Sequence, residues 1–197
     1  MKRSQCAAPI LALVYSDSIA ADRAISELGY GLRADGLAVA GLVQHNKANP
    51  DREKCDMDVE ELASGTILRV SEDRGRDARG CRLDHGALAD AAALLCSALH
   101  NDPKLVIVNK FGKLEAEGKG LRDALAAAVQ LGIPIIVGVP YRNLDQWRLF
   151  ADGLAEECET TSPRLQQWLS RHGLRPSATM FRPLSPKDNP GSQSERH

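Results

Sequence analysis

The stretch VIVNKFGKLEAEGKGLRDAL, Val106 to Leu125, decides the reading of the fold. A β-branched run ends at Asn109-Lys110 and a glycine-punctuated helical pattern follows, the layout of a strand feeding a ligand site in an open α/β sheet. Glycine costs about 1 kcal/mol against alanine inside a helix, so Gly112, Gly118 and Gly120 mark close approach by another backbone or by a ligand.

Working outward, Lys104 to Asn109 reads as a strand, Glu115 to Leu131 as a helix and Ile133 to Val139 as the next strand. Upstream, Pro9 to Tyr15 reads as a buried strand, and Asp17 or Ser18 can cap a helix with apolar positions Ala21, Ala24, Ile25, Leu28 and Leu32. Gly36 to Gln44 predicts a strand, the polar run His45 to Asp56 a long loop, and Thr66 to Val70 a short strand. Asp84 is placed to cap a helix running to about Leu99, and Asn143 to Leu154 forms a last core helix.

Strands separated by helices predict a three-layer α/β fold with a mostly parallel sheet. Ligands of such sheets bind beyond the carboxyl ends of the strands, here Tyr15-Ser16-Asp17, Gln44-His45, Asn109-Lys110 and Pro140-Tyr141-Arg142. The expected organisation is one α/β domain over residues 1–155, a helical extension over 156–182 around Leu165 to Leu169, and a disordered Pro/Ser-rich tail over 183–197.

Composition excludes several classes. With 43% hydrophobic but only 4% aromatic residues, the core must be aliphatic. A formal net charge of -1 gives no general pull toward nucleic acid or anionic membrane. The apolar run Ile10 to Tyr15 is too short to span a bilayer or act as a signal core, so a cytoplasmic protein is expected. Five scattered cysteines without a CxxC pair argue against a disulfide framework or a zinc knuckle. Cys81 and His85 stand four residues apart, with His45 and Cys55 as distant partners, and this dispersed set is read as a thiol and a first-turn histidine rather than a metal site. No cofactor follows from the residues.

Magnesium-dependent nucleotide hydrolysis needs a glycine-rich turn with lysine and Ser/Thr between the first strand and helix, and an acid at a central strand end. The chain offers YSDSIAADRAI at the first place and Asn109 at the second. A guanine-reading Asn-Lys-x-Asp is also absent, since Gly112 stands fourth. In the loop Ser71 to Gly86, Arg74, Arg76, Arg79 and Arg82 are balanced by Glu72, Asp73, Asp77 and Asp84. Gly80-Cys81-Arg82 nevertheless precedes a helix start, where amides and a guanidinium can hold an oxyanion.

The succession GLVQ (Gly41 to Gln44), GCRLD (Gly80 to Asp84), NKFGKLEAEGKGLRDA (Asn109 to Ala124) and GIPIIVGVP (Gly132 to Pro140) resembles an uncharacterised bacterial protein family encoded in molybdenum-transport operons. That family is remotely similar to small P-loop nucleoside-triphosphatases, in which a strand ends in an acid pair followed by Ile-Gly-Lys-Met-Glu. Here Asn109 and Lys110 replace the acids, while Gly112, Lys113 and Glu115 keep their places.

The resemblance implies a P-loop NTPase-like fold with a degenerate phosphate-binding loop, and a link to molybdate or tungstate handling. The expected pocket takes in Ser16, Asp17, Gln44, Cys81, Arg82, Asn109, Lys110, Gly112, Lys113 and Glu115. The expected function is non-hydrolytic binding or regulation, with a small oxyanion, a nucleotide or a pterin-like molecule as ligand. A molybdate transporter or cofactor-assembly protein is the expected partner. The rival reading is a nucleoside-triphosphatase or phosphotransferase that uses Lys110 or Lys113 in place of the missing loop lysine.

Overall fold

The apolar runs form the parallel centre of a seven-stranded sheet in a computed structural model that describes residues 10–47, 56–71 and 83–174. The elements in chain order are β1 (Ile10–Tyr15), α1 (Ser18–Ala34), β2 (Val39–Lys47), β3 (Asp56–Glu61), β4 (Thr66–Arg69), α2 (His85–Leu99), β5 (Leu105–Val108), α3 (Lys113–Ala116), α4 (Arg122–Gln130), β6 (Ile135–Pro140), α5 (Leu144–Ala151), β7 (Ala155–Glu159) and α6 (Pro163–Arg171). A 3-10 turn at Tyr141–Asn143 leads into α5.

The spatial order is β4-β3-β2-β5-β6-β1-β7. From β2 to β7 all pairings are parallel, and β3 and β4 extend the β2 edge as an antiparallel ribbon. This α/β arrangement is compatible with a P-loop NTPase-like fold. Every residue of β5 and β6 is buried, as expected for strands covered on both faces.

Side chains alternate between two cores. Val106, Val108, Ile135 and Val137 pack against α2, α4 and α5, while Leu105, Ile107, Leu11 and Leu13 pack against α1 and α6. Phe111, Trp147 and Phe150 form a local aromatic cluster, with Phe111 and Trp147 edge to face at 5.2 Å.

Three departures from the sequence reading have physical causes. The helix expected over Glu115 to Leu131 is two helices, because Gly118 and Gly120 take left-handed backbone conformations (φ 88° and 64°). Strand β3 begins within the run expected to be loop, since Asp56-Met57-Asp58-Val59 alternates acidic and apolar residues rather than showing an apolar run. The helical extension expected from residue 156 is instead continuous with the sheet: β7 pairs with β1, and Trp168 of α6 is buried against the α1 side. Cys81, Arg82 and the expected tail lie outside the described residues.

Candidate functional site at the strand ends

Strand β1 leads to α1 on one face of the sheet, and its neighbour β6 leads to α5 on the other. Chain connections diverge there, which opens a crevice beyond the strand ends. A cleft of about 450 Å³ lies at the end of β1, lined by Ser16, Asp17, Tyr141, Glu159, Thr160 and Thr161 among others. Its size is within the usual range for small-molecule sites.

Only Ser16 and Asp17 separate β1 from α1. Asp17 is the N-cap, and its Oδ1 accepts from the amides of Ile19 at 2.9 Å and Ala20 at 3.2 Å. A carboxylate therefore occupies the positive end of α1, the place where a phosphate would have to sit. With Glu159 also lining it, this cleft presents anionic acceptors rather than a phosphate cradle.

Under α1 lies a buried polar group of three. Asn109 Nδ2 donates to Asp22 Oδ1 at 2.9 Å, and the two residues are 3% and 5% exposed. Tyr15 stands beside them on the same face, and its hydroxyl is held well above the ordinary phenol pKa, first by burial and then by the Asp22 charge, with Arg142 opposing. Neither Tyr15 Oη nor Asn109 Oδ1 has a hydrogen-bond partner among the described residues. Gly138 of β6 leaves room for this group, because a Cβ there would stand 2.9 Å from Asn109 Oδ1 and 3.4 Å from Tyr15 Cε1.

The chain after Asn109 is pinned at several points. The Asn109–Lys110 peptide is cis. The Phe111 amide donates to Gly138 O, and Asn143 Nδ2 donates to Phe111 O. Glu115 is a buried brace rather than an open ligand contact, since its Oε2 accepts from the Gly112 amide at 2.8 Å and its Oε1 from the Leu121 amide at 2.9 Å. Lys113 points to solvent near Glu117, and Lys110 is half-buried with no ion pair among the described residues.

The expected pocket is thus divided. Ser16 and Asp17 line the cleft, Asn109 lies beneath α1, and Gly112 and Glu115 belong to a self-braced loop. Gln44 is half-buried near the carboxyl end of β2. Sequence reasoning missed Asp22, whose signal was a charge in phase with the buried positions Ile25, Leu28 and Leu32. It also missed Glu159, because β7 is too acidic to read as a strand.

A second polar cluster ties α1 to the antiparallel ribbon. Tyr30 Oη donates to Glu60 Oε2 at 2.6 Å, and His45 Nε2 stands 2.7 Å from Tyr30 Oη and 3.0 Å from Glu60 Oε2. His45, weighed above as a distant metal partner, is engaged there, and no cluster of three His, Cys, Asp or Glu suited to a metal occurs among the described residues.

The chain is an α/β protein with a cleft beyond the carboxyl end of its β1 strand. Residues 10–168 match the family described as protein of unknown function DUF2478, and the chain belongs to that family. It is similar to the molybdenum import ATP-binding protein ModC 2 of Bradyrhizobium diazoefficiens, with 30% identity over 159 residues. The match covers 81% of this chain and 18% of that protein. No helix among the described residues is long and apolar enough to cross a membrane.

Proposed function

We propose that the chain is a non-hydrolytic ligand-binding or regulatory protein linked to molybdate, tungstate or molybdenum-cofactor metabolism, acting in the cytoplasm on a P-loop-like sheet whose phosphate-binding turn has degenerated. The observation that carries this reading is the two-residue β1–α1 turn, with Asp17 bonded to the α1 amides. The neutral amide of Asn109, bonded to Asp22 where an enzyme of the P-loop kind needs a metal-holding acid, supports it independently.

The cleft lined by Ser16, Asp17, Tyr141 and Glu159 suits a ligand that donates hydrogen bonds, such as an N–H-bearing heterocycle of the pterin kind. A bare oxyanion is repelled by Asp17 and Glu159 and would need cations of its own, for which Lys110 and Arg82 are the candidates.

A thermal-shift series with molybdate, tungstate, sulfate, a pterin, ATP and GTP, each with and without magnesium, tests the reading. A midpoint rise with the pterin that is lost in Asp17→Asn supports the donor-ligand form. A rise with molybdate but not sulfate, lost in Arg82→Ala, supports the oxyanion form. A magnesium-dependent rise with ATP or GTP, accompanied by phosphate release, contradicts both.

The similarity to a short part of a molybdenum import ATP-binding protein favours a second reading, contact with such a protein in regulation. That reading predicts that adding this chain changes the ATPase rate of a purified molybdenum import ATP-binding protein. An unchanged rate across a wide excess of the chain removes it.

A further inference from the structure

We propose that the cleft at the end of β1 takes a small organic cation, an alkylammonium or guanidinium whose N–H groups bond to Asp17 and Glu159. This rests on the donor-ligand reading and adds a positive charge to it. Both carboxylates line one cleft of about 450 Å³. Glu159 is exposed, and its carboxylate has no hydrogen bond or ion pair among the described residues. Asp17 engages the α1 amides through Oδ1 alone, which leaves Oδ2 for a ligand. No lysine, arginine or histidine lines the cleft, and Arg142, whose charge reaches the Tyr15 hydroxyl, is exposed outside that lining. Two negative charges in one concave site without a counter-charge draw cations to it.

Three further features favour an organic cation over a bare metal ion. The volume suits a small molecule rather than a lone ion, and no cluster of three His, Cys, Asp or Glu that could hold a metal occurs among the described residues. Tyr141 lines the cleft and is 67% exposed, so its ring is open to an ammonium or guanidinium, which the ring quadrupole attracts. Tyr15 is an independent sign of a missing donor. It is 7% exposed, it lines the same cleft, and its hydroxyl has no partner among the described residues. Burial keeps that phenol protonated, so toward a ligand N–H it is a neutral acceptor.

The test uses the full chain at neutral pH and constant ionic strength, with agmatine or butylammonium chloride titrated against tetramethylammonium chloride, which carries the charge but no N–H. A saturable rise in the unfolding midpoint, on the order of 5 °C well above the dissociation constant, is expected for agmatine or butylammonium and not for tetramethylammonium. Glu159→Gln should raise the half-saturating concentration several-fold, and so should Asp17→Asn, in which asparagine still caps α1. Equal midpoints in the N–H cations and in tetramethylammonium overturn the proposal. Half-saturation unchanged in both variants also overturns it, since the cation then binds elsewhere. A rise with the neutral pterin and none with either amine overturns the cation and leaves the donor-ligand reading standing, whereas no rise with pterin or amine removes both.

Discussion

Asn109 and Asp22, separated by 87 positions in the chain, meet in a buried hydrogen bond of 2.9 Å that joins the end of β5 to the second turn of α1. The amide is on the strand and the acid is on the helix. A metal-dependent hydrolase of the P-loop kind needs the acid on the strand, so the polarity of this contact opposes a phosphate-transfer reading.

Asn109→Asp would place two carboxylates in that contact. The variant loses the amide donor to Asp22 and sets a second acid against it, and a loss on the order of 2 kcal/mol is expected at neutral pH. The pair holds a proton in the folded state, so the folded pKa lies above the unfolded one. The variant is therefore most stable below the unfolded carboxylate pKa and loses stability as pH rises through the folded value. Denaturant titrations at acid and neutral pH should show this widening gap from the parent chain.

Asp17→Ala removes the α1 cap and should cost about 1 kcal/mol in urea unfolding. The same change frees the Ile19 and Ala20 amides. Weak sulfate or phosphate stabilisation should then appear in the variant and be absent in the parent, measured by thermal shift.

Gly120→Ala tests the Glu115 brace. A Cβ at position 120 would fall 2.1 Å from Glu115 Oε1, at a backbone φ of 64°. The backbone strain alone costs about 1–3 kcal/mol, and displacing Glu115 strands the Gly112 and Leu121 amides as well. Calorimetry should report a clear fall in midpoint, whereas Gly153→Ala, with nothing near its Cβ position, should be milder.

Arg148 holds Glu157 through two bonds of 2.8 Å and 2.7 Å, linking α5 to β7. The hydrogen bond to Arg148 places the Glu157 carboxyl below its usual pKa, with burial opposing. A lowered folded pKa gives stability above the unfolded pKa that disappears as pH falls through the folded value. Glu157→Gln should therefore show a small loss at neutral pH, screened by salt, and no loss in acid.

The parallel frame was legible because β1, β2, β5 and β6 are apolar runs bounded by helix caps such as Asp17 and Asp84. The edge strands were not, because β3 and β7 are rich in acids, including the buried Asp58 and Glu61 of β3, and owe their pairing to the neighbours they meet across the sheet. Asn109 was legible as a replaced acid, but its partner was not, since Asp22 is remote in sequence and resembles a surface residue until α1 is docked. Glu115 looked like a ligand contact because nothing local reveals that the Leu121 amide folds back onto it.

The most direct test is phosphate release from ATP and GTP with magnesium by the purified chain, run beside Lys110→Ala and Lys113→Ala. The account predicts no release above the protein-free rate in any of the three, because Asp17 fills the α1 terminus and Asn109 puts a neutral amide where a metal-holding acid would stand. Turnover by the parent chain that falls sharply in either lysine variant would contradict it and establish a phosphate-transfer enzyme on this sheet.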